Sequence, residues 1–427
     1  MHFWLLIEGE PLPTDNDESR LHRMCSLAET LHDRGHKITL WSSTMNHRDK
    51  TLRTSNKLIS NYKPGYDIIL IDSPPYKKNI SPARIIHNLK TAEEFTKIAS
   101  REDILKPDII VAAYPPIELA FEGVKYALKN NIPSVVDVRD LWPDIFIEVL
   151  PSWLQFYGKL ALRPFAKKAS FIADNATSIV SISDEFADWF EKKSKKEFLK
   201  DKKSFHLSYK VEQMSEADKS DARKFWEEIG VSKLDNFFTI CFFGNLTENA
   251  EIPLLIDAAK KINYDQKHNV RFIICGVGSI LKNLIDLSAN VPTIFLPGWV
   301  TKKQIRYLMQ ISDAGILPYR SDRGFELSYP NKVGEYLSEG LPIISSIRGV
   351  LSSLLDKEKI GITYKNQNVD DLVKAIYSLI EDKNLEKEMR LNAKKVFDKR
   401  FDANKVYNDY INFLEKQIYS HIDNKDR

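Results

Sequence analysis

The chain has 427 residues, of which 43% are hydrophobic and 28% are charged. This composition is ordinary for a globular protein and excludes disordered, collagen-like and disulfide-stapled chains. Lys and Arg number 62 and Asp and Glu 59, so the net charge of +3 also excludes nucleic-acid binding driven by overall charge. At about 150 residues per domain, the length indicates two or three domains.

In the first half of the chain, short apolar runs alternate with amphipathic stretches. This alternation is typical of right-handed βαβ units around a parallel sheet. After the first apolar run, residues at helical spacing predict a helix that ends at Gly35. The predicted strands are Phe3–Ile7, Lys37–Trp41, Asp67–Ile71, Ile109–Ala113, Ser134–Asp137, Ser178–Ile182 and Ser204–Leu207.

A polar segment, Tyr209 to Lys219, interrupts this pattern before a second alternating series begins. The strands predicted there are Phe238–Phe243, Phe272–Cys275, Thr293–Leu296, Ala314–Leu317, Ile343–Ser345 and Ile362–Tyr364. We therefore predict an α/β fold with two doubly wound, Rossmann-like domains, residues 1–208 and 209–400, that face a cleft.

Residues 401–427 are predicted to form one amphipathic C-terminal helix that returns to the N-terminal domain. One stripe of this helix is apolar and consists of Tyr407, Ile411, Leu414 and Ile418.

The three cysteines, Cys25, Cys241 and Cys275, lie far apart in apolar stretches and lack metal-ligand spacing. Buried, reduced thiols in a cytoplasmic protein explain them better than a metal or redox site. No basic leader precedes the first apolar run, and no run approaches the roughly 18 apolar residues of a membrane span. We expect a cytoplasmic protein that can still lie on the inner face of the cytoplasmic membrane.

Ligands of doubly wound domains bind beyond the carboxyl ends of the strands, in the loops that lead into helices. Gly244 and Asn245 form such a loop, where a glycine lets the backbone approach a ligand closely and a helix start can receive a phosphate. Gly276 and Gly278 form a Gly-x-Gly turn after the next strand. A plain strand-end turn explains either loop equally well. Neither half has Gly-x-Gly-x-x-Gly after its first strand, which argues against a nicotinamide dehydrogenase.

A more specific string runs from Tyr329 to Pro342. Pro330 fits the first turn of a short helix, and Gly340 ends that helix. Free amides at the helix start, with Lys332 beside them, form a cradle for a diphosphate, and Glu335 one turn later is placed to bind ribose hydroxyls. A capped helix with surface charges is the alternative.

In the first half, Arg139 and Asp140 follow a buried strand and precede Trp142-Pro143. Charges at the end of a buried strand cost stability unless they pair or bind a ligand. Both a structural Arg139–Asp140 network and a functional site fit this string.

Together and in this order, these strings resemble the retaining nucleotide-sugar glycosyltransferases of the GT-B fold, family 4 type. The resemblance spans essentially the whole chain and is closest to the bacterial surface-polysaccharide branch related to N-acetylfucosamine transferases. Pro330-Asn331-Lys332 with Glu335-Tyr336 resembles the Pro-x-Lys-x-x-Glu-Tyr donor motif of that branch. Arg139-Asp140-Leu141-Trp142-Pro143 resembles its Arg-Asp-Leu-Trp-Pro motif.

This chain departs from the broader family at several positions. The family has a first glutamate upstream of the one that Glu335 matches; here that position is Leu327, and either Glu326 takes the role or this branch lacks the first carboxylate. The family also has an Arg and a Lys after the glycine loop, whereas Thr247-Glu248-Asn249-Ala250 contains no base. Lys332, Arg320 or Arg323 is then expected to supply the charge. The family's cleft histidine aligns near Arg139, and Gly9 stands where many relatives have paired glycines.

The resemblance implies transfer of a hexosyl group from a nucleoside diphosphate sugar to a glycan acceptor, with retention and without a required metal. Amides and cations stabilise the leaving diphosphate in this fold. The implied setting is capsule, O-antigen or exopolysaccharide synthesis on a lipid-linked acceptor. Asp15-Asn16-Asp17 spells a metal-type Asp-x-Asp, but acidic capping before a helix explains it better, and we predict no metal site.

The residue roles that the resemblance implies fall into three groups. The catalytic group comprises Arg139, Asp140 and Lys332. The donor-binding group comprises Gly244, Asn245, Gly276, Gly278, Trp299, Val300, Arg320, Glu326, Ser328, Tyr329, Pro330, Asn331 and Glu335. The acceptor-side group comprises Gly9 and Glu10.

A further stretch combines apolar and basic residues at helical spacing. The apolar stripe is Trp153, Phe156, Tyr157 and Leu160, and the basic stripe is Lys159, Arg163 and Lys167. A separate positive segment nearby in sequence consists of Lys192, Lys193, Lys195 and Lys196. Pro164 is expected to kink or end this helix. Such a surface suits an anionic membrane that carries a lipid-linked acceptor, and a core-packing helix with a solvated lysine segment is the alternative.

Two other functions fit the same architecture. A nucleotide-sugar epimerase would need acid–base groups flanking the sugar, which the Glu8–Pro13 loop and the Arg-Asp-Leu-Trp-Pro string suit less well. A non-catalytic nucleotide-sugar or glycan-binding protein is compatible with the missing basic pair.

Overall fold

A computed structural model describes residues 1–15, 21–53, 59–196, 201–232, 236–320 and 322–425. Asn16 and Asp17 of the Asp-x-Asp string lie outside the described residues. The chain divides into two compact units, Met1–His206 with Val406–Arg427, and Leu207–Lys405.

The first unit is built around a sheet of eight strands. They are β1 (His2–Leu6), β2 (Lys37–Ser43), β5 (Ile59–Lys63), β6 (Tyr66–Ile71), β7 (Ile109–Tyr114), β8 (Ser134–Val138), β9 (Ser178–Ser181) and β10 (Asp201–Ser204). A short antiparallel pair, β3 (Met45–Asn46) and β4 (Thr51–Leu52), stands apart. The order is β10-β9-β8-β7-β1-β2-β6-β5, and all neighbours pair in parallel except β5, which runs antiparallel to β6 at the edge.

Both edges of this sheet depart from the sequence prediction. The strand predicted at Ser204–Leu207 lies at Asp201–Ser204, and β5 was not predicted. Edge strands bury one flank only, so they carry polar residues and lack the apolar run that identifies the central strands.

The helices of the first unit are α1 (Arg23–Asp33), α2 (Pro82–Ala99), α3 (Ile117–Asn130), α4 (Asp144–Glu148), a 3₁₀ turn (Ser152–Leu154), α5 (Gln155–Ala161), α6 (Arg163–Asn175) and α7 (Asp184–Glu191). The helix that begins at Gln155 ends at Ala161, just before Pro164, as predicted, and Pro164 lies in the first turn of the next helix, α6. A proline is accommodated there because the first N–H groups of a helix have no intrahelical partner. Trp153, Phe156 and Tyr157 are exposed, so the core-packing alternative for this stretch is wrong.

The second unit contains a sheet of six parallel strands. They are β11 (Phe238–Phe243), β12 (Val270–Cys275), β13 (Ile294–Gly298), β14 (Ala314–Leu317), β15 (Ile343–Ser345) and β16 (Gly361–Thr363). Their order, β13-β12-β11-β14-β15-β16, is that of a doubly wound Rossmann-like sheet. The predicted α/β fold is therefore confirmed.

Helices follow the strands of this unit in alternation. They are α8 (Glu216–Glu228), α9 (Ile252–Asp265), α10 (Leu281–Ser288), α11 (Lys302–Ile311), α12 (Arg323–Glu326), α13 (Lys332–Ser338), α14 (Val350–Glu358), α15 (Val369–Glu381), α16 (Lys383–Val396) and a π-helical turn (Phe397–Phe401). Pro330 precedes the cap residue of α13, Asn331, so it forms the turn before the helix and not its first turn.

The last helix, α17 (Ala403–Lys425), joins the first unit from Val406 onward. Its predicted apolar stripe, with Ile411 and Leu414, is buried. The Tyr410 ring stacks on Phe205 at 4.6 Å, so the helix returns to the N-terminal domain as predicted.

The three cysteines are free and buried, as predicted. None of the helices in the described part of the chain is long and apolar enough to cross a membrane.

Candidate functional site

In the second unit, the strand order reverses between β11 and β14, and the loops after these two strands lie side by side. The Glu251 N–H donates to the Pro318 carbonyl at 2.6 Å, and the Arg320 N–H donates to the Asn249 carbonyl at 3.0 Å. Doubly wound sheets bind ligands at such a reversal. These two loops are therefore the first place to look for a site.

Lys332, the first residue of α13, brings its ammonium group to this place. Its Nζ donates to the Tyr319 hydroxyl at 2.7 Å and lies 5.3 Å from the ring centroid of Phe242. A Cβ added to Gly244 would lie 2.7 Å from the same Nζ, so the ammonium group rests against the Gly244 backbone. Within the described residues, no carboxylate forms an ion pair with Lys332. A cation whose partners are neutral is not compensated by a carboxylate, so it can form a charge-assisted hydrogen bond with an anionic ligand.

Tyr319 holds Lys332 in place, a role that the sequence analysis missed. Its ring stacks on Phe325 at 4.7 Å, and its carbonyl accepts from Ser346 Oγ at 2.8 Å and from Asn366 Nδ2 at 3.3 Å. The signal that was available is its position, directly after a buried strand and before Arg320.

The glycines after β12 allow two loops to touch. A Cβ at Gly276 would lie 1.8 Å from the Gly244 carbonyl oxygen, and a Cβ at Gly278 would lie 2.1 Å from the Leu246 carbonyl oxygen. Any side chain at these positions would push the Gly244 loop away. The Gly-x-Gly turn thus supports the loop that carries Gly244, and its contact with a donor stays a prediction.

The loop after β13 carries Trp299 and Val300, which the resemblance places in the donor-binding group and, more closely, beside the base of the donor. The Gly298 carbonyl accepts from the Gly276 N–H at 2.7 Å, so it is already engaged. Val300 is buried, whereas the Trp299 side chain is 63% exposed. Of this loop, the Trp299 ring is the part that a flat ligand can reach. Asn245, in the neighbouring loop after β11, is also exposed.

The segment before α13 packs closely against its surroundings. A Cβ at Gly349 would lie 2.1 Å from the Glu326 carbonyl oxygen, so Glu326 is fixed through its backbone. Ser328 Oγ donates to the Gly324 carbonyl at 2.8 Å, and the Tyr329 ring meets Phe401 edge-on at 5.8 Å.

The remaining donor-motif residues divide into exposed and half-buried positions. Asn331 is exposed and makes no side-chain cap, and Glu335 is half-buried. Arg320 is mostly exposed, with its Nε 3.8 Å from Glu251 Oε1. Arg320 therefore shares its charge with a carboxylate, whereas Lys332 does not.

In the first unit, Arg139 forms an ion pair with Glu10. Glu10 Oε2 also accepts from the backbone N–H groups of Met24 and Cys25 at the start of α1, at 3.1 and 3.3 Å. Asp140 instead accepts from the Leu141 N–H at 2.7 Å, so the alternative of a structural Arg139–Asp140 network is wrong and the ion-pair partner of Arg139 is Glu10. Burial raises the pKa of the Asp140 carboxyl.

A second buried pair lies beside the first. Arg23 Nε donates to Asp137 at 2.7 Å, and its Nη1 donates to the Phe205 carbonyl at 2.7 Å. Both side chains are almost fully buried, with 4% of Arg23 and none of Asp137 exposed. Burial works against the charge of Arg23, but Asp137 more than compensates and raises the pKa of the guanidinium.

The loop after β1 holds a polar cluster that the sequence analysis missed. Glu8 Oε1 accepts from Ser43 Oγ at 2.9 Å and from His87 Nε2. Burial lowers the pKa of His87, but the hydrogen bond to Glu8, the Glu8 charge and the hydrogen bond to the Pro74 carbonyl together raise it more, so the net pKa lies above its usual value. His87 lies inside α2, far along the chain, so no local pattern announces this contact.

Gly9 and His47 lie against each other in the same cluster. Gly9 has φ of +81°, and a Cβ there would lie 3.7 Å from the His47 ring. His47 Nδ1 shares a hydrogen bond with the Tyr76 hydroxyl. Burial, together with the cations Lys50 and Arg84, lowers the pKa of His47 to about 4.

Two family descriptions match the chain. "Glycosyltransferase Family 4" matches residues 23–196, and "Glycosyl transferases group 1" matches residues 224–396. An uncharacterized glycosyltransferase of Methanocaldococcus jannaschii, MJ1069, is 26% identical over 189 residues, which are 44% of this chain and 47% of that protein. The match thus spans about half the length of this curated relative.

Solved structures share the fold at low identity. Sucrose-phosphate synthase from Thermosynechococcus elongatus has a TM-score of 0.70 at 13% identity, covering 98% of this chain and 99% of that one. Anabaena HepE in complex with UDP has a TM-score of 0.65 at 16% identity, covering 97% and 99%. The chain therefore combines a glycosyltransferase family 4 region and a group 1 region in the two halves of a GT-B fold.

Proposed function

We propose that this protein transfers a hexosyl group from a nucleoside diphosphate sugar to a glycan acceptor. The observation that carries the proposal is the Lys332 ammonium group, which has neutral partners and rests against Gly244 where the strand order reverses. A cation fixed before the reaction stabilises the negative charge that develops on a leaving diphosphate. The HepE structures contain UDP and UDP-glucose, which makes uridine nucleotides the first donors to test.

The other residues of the second unit take supporting roles in this proposal. Tyr319 orients Lys332, the exposed Trp299 ring with Val300 borders the base, and Glu335 binds the ribose. Arg320 and Glu326 shape the sugar end of the donor. The remaining donor-binding residues are Asn245, Gly276, Gly278, Ser328, Tyr329, Pro330 and Asn331.

We propose that the reaction proceeds with retention and that donor binding needs no metal ion. Retention follows the family 4 resemblance of the donor motif, in which the protein stabilises charge and orients the reactants. The Lys332 ammonium supplies a positive charge to the diphosphate from the protein itself. Stabilisation by donor that persists in the presence of a chelator would support this part.

On the acceptor side, we propose a lipid-linked glycan and the bacterial surface-polysaccharide branch that the Arg-Asp-Leu-Trp-Pro string resembles. Gly9, Glu10, Arg139 and Asp140 border the acceptor or the donor sugar in this proposal. The setting that fits is the cytoplasm at the inner face of the membrane.

The test is a thermal-shift screen of the purified protein against nucleoside diphosphate sugars, with and without chelator, followed by product analysis. A new glycosidic bond with the anomeric configuration of the donor would support the proposal, and an inverted product would overturn retention. An isomerised donor would favour the epimerase, and binding without turnover on any acceptor would favour the non-catalytic alternative.

A further inference from the structure

Two segments of the first unit place large apolar side chains in solvent. They are residues 80–89, at the start of α2, and residues 149–160, from the end of α4 through α5. The exposed apolar residues are Ile80, Ile85, Ile86, Leu89, Val149, Trp153, Phe156, Tyr157 and Leu160. Trp153 and Phe156 are 72% and 71% exposed, although aromatic side chains of this size are normally well buried.

Side-chain contacts link the two segments. Arg84, on α2, places its guanidinium carbon 4.9 Å from the centre of the Trp142 ring. Trp142 packs edge-on against Phe146 of α4 at 4.7 Å. After α4, the Leu150 side chain lies so close to Gly158 of α5 that a Cβ there would meet it at 2.6 Å. Contacts therefore run from α2 through α4 to α5.

The charged residues of these segments are basic. Residues 73–92 and 149–173 contain no Asp or Glu, and each stretch contains four Lys or Arg, in a chain with 59 acidic residues among 427. Five of the cations are exposed and form no ion pair with any described residue: Lys77, Lys78, Lys159, Arg163 and Lys167. The neighbouring carboxylate of Asp144 is already paired with Lys193, and Glu148, directly before the second segment, is exposed.

We propose that this apolar-basic face, residues 77–90 with 149–167, docks the protein onto a bilayer that contains anionic lipids. Apolar side chains enter the headgroup boundary while the cations attract the anionic headgroups. The composition favours lipid over protein, because lysine is depleted in protein–protein interfaces and four of the five unpaired cations are lysines. This inference extends the proposed function to a membrane surface. It rests on the proposed function in one respect, the lipid-linked acceptor.

The test uses the full chain and co-sedimentation with vesicles of phosphatidylcholine, alone or mixed with phosphatidylglycerol, at low and high salt. We expect binding to the anionic vesicles at low salt and little binding to neutral ones. The double variant Trp153→Ser/Phe156→Ser should bind at least about tenfold more weakly, because its inserted area is lost. The variant Lys159→Gln/Arg163→Gln/Lys167→Gln should lose on the order of fivefold per cation.

Two matched controls come from the second unit. Tyr264→Ser removes an aromatic side chain that is 89% exposed, and Lys302→Gln removes an exposed cation; neither should change vesicle binding. Retained thermal unfolding and donor-induced stabilisation would show that the docking variants are folded.

Absence of wild-type binding to anionic vesicles, equal binding to both vesicle types, or unchanged binding of the docking variants would overturn the proposal. A dimer in solution that hides Trp153 from a quencher would also overturn it, in favour of a second copy as the occupant. Failure of docking with donor stabilisation intact counts against this inference alone. Docking without any glycosyl transfer counts against the proposed function alone.

Discussion

Two arginines of the first unit and one lysine of the second unit meet their surroundings in opposite ways. In the first unit, Arg23 and Arg139 are paired with carboxylates and withdrawn from solvent. In the second unit, Lys332 contacts a hydroxyl group and aromatic rings, with no described carboxylate in ion-pair contact. A buried pair is already neutral, and losing one partner leaves an uncompensated charge. The comparison thus separates charges that stabilise the fold from a charge that is available to a ligand.

The largest effect is expected for Arg23→Ala. It leaves Asp137, which has no exposed surface, without its cation, and should lower the free energy of unfolding by about 3–5 kcal/mol. Urea unfolding measures this loss. Arg34→Ala is the control, because Arg34 is exposed and its guanidinium group, among the described residues, hydrogen-bonds to the Asn408 and Asn412 side chains of α17. Equal stability of the two variants would refute a structural role for the Arg23–Asp137 pair.

In contrast to Arg23→Ala, the variant Lys332→Ala should lose turnover and keep its stability. Loss of one preorganised cation should reduce turnover by about 10²–10³-fold, as removal of an oxyanion-hole donor does in other enzymes. The free energy of unfolding should change by less than about 1 kcal/mol, because no ion pair is broken. Steady-state kinetics measures turnover and urea unfolding measures stability, with Lys302→Ala as the control. Wild-type turnover in Lys332→Ala would remove the basis of the proposed function.

The variant Arg139→Ala tests whether Arg139 stabilises the fold, like Arg23, or serves the ligand, like Lys332. Its side chain is 17% exposed, so loss of the Glu10 pair should cost about 2–3 kcal/mol of stability, somewhat less than at Arg23. The measurement is again urea unfolding beside turnover. A large fall in turnover with unchanged stability would place Arg139 with Lys332, as the motif resemblance implies.

A smaller effect is expected for Gly244→Ala. Gly244 has φ of +151°, where any L side chain strains the backbone, and the new Cβ would also lie 2.7 Å from Lys332 Nζ, although the flexible lysine end can move away. Donor affinity should fall by about tenfold, since the ammonium group is displaced and not removed. In a double-mutant cycle, the change should have little further effect once Lys332 is alanine. Full additivity would show that Gly244 acts independently of Lys332.

The smallest effect concerns pH and His47. Its pKa is lowered to about 4 by burial and then by Lys50 and Arg84, so the folded protein binds this proton less readily than the unfolded chain. The free energy of unfolding should fall by about 1 kcal/mol, after allowance for partial exposure, as pH decreases from about 6.5 to 4. The difference between wild type and His47→Gln isolates this contribution from the carboxylates.

The pKa of His87 shifts in the opposite direction to that of His47, so His87 provides a second test of the pH dependence. Its pKa is raised, net of burial, by the Glu8 carboxylate, so its stabilising contribution is present below about pH 6.5 and is lost as pH rises through the folded value. A variant His87→Gln should therefore flatten the profile above pH 6.5, where His47→Gln leaves it unchanged.

Local sequence patterns predicted most of the fold. The central strands of both sheets, such as Phe238–Phe243 and Ala314–Leu317, are short apolar runs whose residues are buried on both faces, and they lie where the pattern placed them. The apolar stripe of α17 likewise required only its own spacing. The patterns failed at both edges of the first sheet, because the edge strands β5 and β10 are rich in polar residues and lack that apolar signature. The edge strands of the second sheet, β13 and β16, lie within two residues of their predicted positions.

The candidate site was only partly readable. Lys332 and Gly244 stood out as motif residues, but their contact joins positions 88 residues apart, and Tyr319 gained a role only through that contact. An Arg139–Asp140 network was one of two alternatives for that string, whereas the structure pairs Arg139 with Glu10, in the loop after β1.

By itself, the sequence determined the alternation of strands and helices, the two α/β halves, the terminal helix and the motif positions. These follow from periodicity, glycines and local spacing, which act over a few residues. The tertiary structure decided which charges are compensated and which side chains stay in solvent. Ion pairing and burial depend on distances between residues that are remote in the chain, and only the folded backbone sets those distances.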